Sequence, residues 1–388
     1  MPPTSQLVRR SLAAGAAAGA AVMSLRALAR PLPASAERRL LDWESVRLTA
    51  HMRTGESGPI GFRDAVRIGA TYDRIAAEMA PLMAEVVQAQ VAGYPRVDVL
   101  DRRGFIDVNL VIVQRLFEPV EKLRATLPES RMTALGRTVL SRYVGELFGF
   151  LSRRVLGQYD PVLMLAPPPE ETGGSPAPAL SLVEPNVRAF EERQDVPGEN
   201  LRRWLVLHEL THAWQFEAHP WLREYIASTM SDLLMGGLLH ELTAGGEPTK
   251  DAAAKVRTPS ARHLVRGAIP ALRTQLGAVG RIQAVMSVAE GYSNYVMHRV
   301  GQKHVKDFER LERGFHERQR QRTLLEQLVL TVTGMRMKLR QYELGERFAE
   351  AVVKERGLTL LNRVWEGPEL MPSLADLRDP RLWIARAG

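Results

Sequence analysis

A mainly α-helical fold with one small β element is what this sequence of 388 residues predicts. Three observations carry that reading. Apolar residues recur at helical spacing through most of the chain from Trp43 onward. Only two short apolar runs, Val162–Ala166 and Leu180–Val183, depart from that period. Those runs flank residues 167–178, a Pro, Gly and Glu stretch that reads as a loop, so the pair predicts a hairpin or sheet edge.

The N-terminal 41 residues stand apart as an extension. Arg9-Arg10 precede an uncharged Ala/Gly stretch from Ser11 to Leu25, followed by Arg26, Arg30 and an Ala34-Ser35-Ala36 site. The order resembles a twin-arginine export signal, although Val8 stands where Ser or Thr is usual and Leu12 where Phe is. The stretch is too short and too weakly apolar to predict a membrane span. A cytoplasmic protein is expected, with export or membrane association through residues 9–30 as the alternative. From residue 42 to 388 one helical domain is expected, with helices over about 63–93, 107–126, 129–155, 198–217, 221–243, 262–275, 279–300, 322–355 and 358–364.

Composition narrows the chemistry. The chain has no cysteine, which excludes disulfides and thiolate ligands and leaves His, Asp and Glu as the only strong metal ligands. Its net charge of +8 raises nucleic acid as a partner. Yet the densest basic stretch, Lys303–Arg322, interleaves Asp307, Glu309, Glu312 and Glu317 with its arginines. Mixed signs of that kind mark a solvated helix or connector, so nucleic acid is not the expected partner.

The helix predicted over 198–217 contains His208-Glu209-Leu210-Thr211-His212, an H-E-x-x-H arrangement. Histidines four residues apart lie about 40° apart around a helix and roughly 6 Å apart along it, so both rings can reach one ion. The glutamate points to the same neighbourhood, where it can take a proton from a water that zinc acidifies. Asp195, Pro197 and Glu199 supply a cap, a first-turn proline and an acidic first turn, and Pro220 closes the helix. The plain alternative is a buried amphipathic helix whose histidines are satisfied by hydrogen bonds.

Catalytic zinc takes three protein ligands and keeps a position for water. A third histidine in the metzincin manner would need glycine at position 215 and histidine at position 218, where the chain has Gln215 and Ala218. His219, next to Pro220, reads as a capping residue. Glu290 is the better third ligand: Ile282, Val285, Met286, Ala289, Ser293, Val296 and Met297 trace one face of the helix over 279–300, and Glu290 sits on it. A carboxylate on a core-facing stripe is costly unless paired, by zinc or by a buried arginine. Gly291 would let another backbone come close, here the helix of His208. Asn294 could orient a ligand. Tyr292, Tyr295, His298 and Tyr225 are candidates to donate to a developing oxyanion, and each reads first as a core-packing residue.

Several blocks in one order resemble a bacterial family of zincin-like metallopeptidases labelled as associated with deazaflavin-coenzyme biosynthesis. They are Leu156–Pro161, Glu184–Asn186, the HELTH helix running into His219–Leu222, Met286–Met297, Lys338–Tyr342 with Gly345–Phe348, and Asn362–Trp365. The resemblance implies a mostly helical zincin-like architecture, with His208, His212 and Glu290 as ligands of Zn2+ and Glu209 as base. Family members often carry histidine where this chain has Tyr292 and an acidic residue where it has Asn294. In zincins a strand before the active-site helix commonly binds extended peptide, so Leu180–Val183 reads either as that strand or, equally, as an ordinary short structural strand. The expected function is a zinc-dependent hydrolase cleaving a peptide or protein amide; the alternative is a non-catalytic binding or structural protein that keeps the zincin shell.

Overall fold

The structure, a computed structural model, describes residues 39–55, 58–89, 96–126, 131–159, 180–244, 261–320 and 336–388. Residues 1–38 of the extension and the run Val162–Ala166 lie outside the described residues. The span expected as one domain corresponds to two compact units, 39–55 with 106–151 and 56–105 with 152–388.

The smaller unit contains a helix that the periodicity reading passed over, α1 (Trp43–Met52). Its start is chemically marked: the Asp42 carboxylate accepts from the Ser45 backbone N–H at 3.2 Å and from the Ser45 hydroxyl at 2.6 Å. Val46 and Ala50 bury its inner face. The remaining helices are α3 (Arg102–Thr126), most of which lies in this unit, and α4 (Arg131–Ser152). Arg53 forks onto Glu146 of α4 through bonds of 2.8 and 2.7 Å.

The larger unit starts with α2 (Phe62–Val87) and a three-stranded sheet of β1 (Val97–Leu100), β2 (Gly157–Tyr159) and β3 (Leu180–Val183). The strand order is β1-β3-β2, with β3 parallel to β1 and antiparallel to β2. Leu180–Val183 is therefore a strand, as its apolar run predicts, but it is the middle one. Paired on both sides and buried throughout, it has no edge to offer a peptide. Of its two readings, Leu180–Val183 is therefore the ordinary structural strand and not the peptide-binding one.

Behind the sheet lies α5 (Glu184–Gln194), which ends at Asp195 in the left-handed region at φ 47°. Asp195 thus terminates α5 and does not cap the next helix; its carboxylate takes Arg310 at 3.0 Å. Glu184 is only 1% exposed, yet it accepts from the Tyr72 hydroxyl and from Arg202, each at 2.7 Å, and from Arg188 at 3.0 Å. A buried carboxylate persists because these donors replace its water. They join α2, α5 and the next helix, α6 (Gly198–Glu217), which is buried almost all round.

After α7 (Trp221–Ala244) comes α8 (Ala261–His304), unbroken where the sequence suggested two helices. It packs against α10 (Arg336–Arg356). The charge-mixed stretch forms α9 (Phe308–Arg320). A short helix α11 (Leu358–Asn362), one 3-10 turn (Arg363–Trp365), α12 (Leu374–Arg378) and α13 (Pro380–Ala387) complete the unit. Trp365 and Trp383 fill this end of the core. Among the described residues no helix is long and apolar enough to cross a membrane.

His298 on α8 is clasped between helices, with Glu312 of α9 at 2.6 Å, Glu346 of α10 at 3.7 Å and the Asn294 carbonyl at 3.0 Å. The Glu312 bond, opposed by partial burial and aided by the charge of Glu346, raises its pKa to about 9. A folded pKa above the unfolded one stabilises the protein fully below about 6.5, and the contribution fades as pH rises through about 9. After allowance for solvent screening the clasp is worth about 1 kcal/mol. Urea titrations of the wild type are expected to lose that amount between pH 6.5 and 9 relative to His298→Gln. Parallel profiles for the two proteins would exclude the clasp.

Candidate metal centre

The centre is built where α6 crosses α8. Both histidines rise from the same face of α6, as their spacing of one turn requires, and Glu290 reaches them from α8. His212 Nε2 lies 3.2 Å from His208 Nε2, and Glu290 Oε2 lies 3.5 Å from each. Among the described residues this is the one group of three His or acidic side chains compact enough to hold an ion.

The outer ring nitrogens show which atoms are offered inward. Gln215 Nε2 donates to the Ala289 carbonyl at 3.0 Å, so its Oε1 faces His212 Nδ1 at 2.9 Å. A carbonyl oxygen only accepts; Nδ1 therefore carries hydrogen, and Nε2 of the neutral ring is a lone pair. His208 Nδ1 faces the Met297 thioether at 3.1 Å, which is likewise an acceptor. Its ring is stacked parallel to Trp204, centroids 6.3 Å apart. Two imidazole lone pairs and a carboxylate oxygen thus converge on one point, an arrangement of acceptors that a cation satisfies.

Electrostatics agree. Burial opposes charge on His212, but the Glu290 carboxylate, with Glu209 behind it, wins and raises its pKa to about 9. Burial and the charge of His212 together lower His208 to about 4. The donor set, two nitrogens and one oxygen with no thiolate, fits Zn2+.

Glu209 lies between α6 and the sheet and is 5% exposed. Burial pushes its carboxyl up to about 7; His212 and the Tyr159 backbone N–H oppose that shift, and Glu290 adds to it. Sheet register explains the Tyr159 contact. Val183 N–H donates to the Leu156 carbonyl at 2.8 Å, so hydrogen bonding to β3 alternates onto Gln158 and leaves Gly157 and Tyr159 turned outward. Outward here means toward Glu209. A Cβ on Gly157 would fall 3.0 Å from Glu209 Oε1 and 2.5 Å from Leu182 Cδ2, so only glycine admits the carboxylate this close.

The remaining candidates separate. Tyr292 is 1% exposed, stacks on Trp214 and gives its hydroxyl to Asn362 Oδ1 at 2.7 Å. Asn362 in turn donates to the Val87 carbonyl, so Tyr292 serves the core, the reading the sequence favours for it. Two residues on from Glu290, it points about 200° around the helix, which a helical wheel already implies. Tyr295 packs at the core margin with the Arg299 guanidinium 5.9 Å from its ring centre. Asn294 follows Glu290 by one turn, and its carbonyl accepts from His298. His298 is engaged by Glu312, away from the ligands. Tyr225 packs edge-on against Trp221. His219 Nδ1 caps α6 at the Gln215 carbonyl, 2.9 Å away, as expected. Gln215 itself went unread as a functional residue; its signal was an amide on an otherwise apolar face, one turn after the second histidine.

A family model described as zincin-like metallopeptidase matches residues 41–384 of this chain. No curated protein matches it. A crystal structure from Chloroflexus aurantiacus, described as "a putative hydrolase with a novel fold", is similar at 33% identity and a TM-score of 0.65, covering 89% of this chain and 98% of that one.

Proposed function

The chain belongs to the zincin-like metallopeptidase family, and from that premise we propose that it is a zinc-dependent hydrolase, acting as a metallopeptidase on a peptide or protein amide. The observation that carries the reading is the convergence of His208 Nε2, His212 Nε2 and Glu290 Oε2 beside the Glu209 carboxylate. Those three side chains would hold Zn2+. When bound, zinc would lower the pKa of a bound water toward about 7 and polarise the scissile carbonyl.

The chain's own residues do the rest. Glu209 takes a proton from the attacking water and returns it to the leaving nitrogen. Burial, which raises its carboxyl, suits it to both steps, since the base must first take the proton and then give it up. The Tyr159 N–H keeps the carboxylate in place. The outward edge of β2 at Gly157 supports an extended peptide laid alongside Glu209 by main-chain pairing. Trp204 and Met297 fix the His208 ring.

Purified full-length protein is expected to carry about one zinc per chain, read by plasma mass spectrometry, and His212→Ala to lose it. A wild type that takes up no zinc overturns the proposal.

A further inference from the structure

Gln215 is fully buried, with 0% exposure, and makes two hydrogen bonds of opposite sense. Its Nε2 donates to the Ala289 carbonyl at 3.0 Å, and its Oε1 lies 2.9 Å from His212 Nδ1. The backbone carbonyl cannot donate, so it fixes which end of the amide faces the histidine. That orientation in turn dictates which ring nitrogen of His212 carries hydrogen. The Ser293 hydroxyl is a weaker rival at 3.4 Å from the same nitrogen, and a hydroxyl can rotate to give or to accept. Ala289 directly precedes Glu290, so the bond that orients Gln215 also ties the α6 ligand to the backbone bearing the α8 ligand.

We infer that Gln215 is a positioning residue for the metal centre: anchored by the Ala289 carbonyl, it locks His212 in the Nδ1–H tautomer and aims Nε2 at the ion. The inference rests on the zinc-hydrolase reading. It accounts for the chain having Gln215 where the metzincin pattern has glycine: a side chain is needed at this spot because the third ligand arrives from another helix. Partners of this type commonly change metal affinity by about 10- to 100-fold.

Two variants of the full-length protein separate this role from simple helix bridging. Gln215→Leu removes both bonds. Gln215→Glu, while ionised, keeps an acceptor for His212 Nδ1–H and loses the donor to Ala289. Zinc affinity, measured by competition with a chromophoric chelator, is expected to fall about 10- to 100-fold in Gln215→Leu and to stay within about threefold of wild type in Gln215→Glu. Nitrogen-15 spectra of the zinc-loaded wild type should show a slowly exchanging His212 Nδ1–H, and Gln215→Leu should lose that protection. Equal losses in both variants would make Gln215 a structural bridge only and overturn the inference, as would undiminished affinity in Gln215→Leu. If Gln215→Leu fails to fold, the affinity of Gln215→Glu and the wild-type spectrum decide. A wild type that binds no zinc fails the parent reading instead, so the two failures are distinguishable.

Discussion

Glu209→Gln is expected to retain zinc and to lose hydrolysis by about 10²- to 10⁴-fold, the range that a positioned general base contributes. Glutamine keeps the size of the side chain and an oxygen for the Tyr159 N–H, but it cannot take up a proton at neutral pH. His208, His212 and Glu290 are untouched, so metal content should not change. Because Glu209 is buried, a neutral replacement should not lower the melting temperature either: it removes a group whose charging burial opposes. Assays of wild type and variant on a peptide library, with zinc content read in parallel, check each part. Equal hydrolysis by the two proteins would show that Glu209 is not the base. A wild type with bound zinc and no hydrolysis of any amide would favour the non-catalytic zincin shell.

Much of this site was legible in the sequence because its residues break the rule of the segments that hold them. His208, His212 and Glu290 each place a titratable group on an apolar helical face, where only a partner makes it affordable in solvation terms. What the sequence does not contain is the direction of each partner. Gly291 predicts a close backbone approach, but the helix that arrives is α10 at Gly345, not α6. The strand Leu180–Val183 is readable from its apolar run, whereas its pairing with Val97–Leu100, far away in sequence, is set by tertiary packing. β2 was missed for a related reason: three residues, Gly157–Tyr159, are too few to show a period, and the glycine that lets Glu209 approach weakens the strand signal. The helix boundaries of α6 were legible from Pro197, Glu199 and Pro220, yet Asp195 belongs to the end of α5, since one aspartate can terminate one helix or begin the next.

The Gly291–Gly345 crossing supports the second large effect, on stability. A Cβ added to Gly345 would fall 2.7 Å from the Ser287 carbonyl carbon, closer still to its oxygen, and 3.2 Å from the Gly291 backbone nitrogen. All three are main-chain atoms of α8, so no side chain can rotate away, and the two helices must part. Gly345→Ala is expected to destabilise the protein by about 3 kcal/mol, the upper end for overpacking a rigid core, even though alanine alone favours a helix by about 1 kcal/mol. For a unit of this size that is a drop in melting temperature of about 5 °C. Gly136→Ala is the matched control: no atom lies within 4 Å of the new Cβ, and its helix should be unchanged or slightly stabilised. Parting α8 from α10 also shifts the segment that bears Glu290, so zinc affinity should fall in Gly345→Ala and not in Gly136→Ala. Melting temperatures of the two variants within about a degree of each other would mean that α8 and α10 do not meet at these glycines. In that event the register that brings Glu290 to the histidines would need a different support, because Ser287 and Gly291, the residues that meet α10, flank Glu290 on the adjoining face of α8.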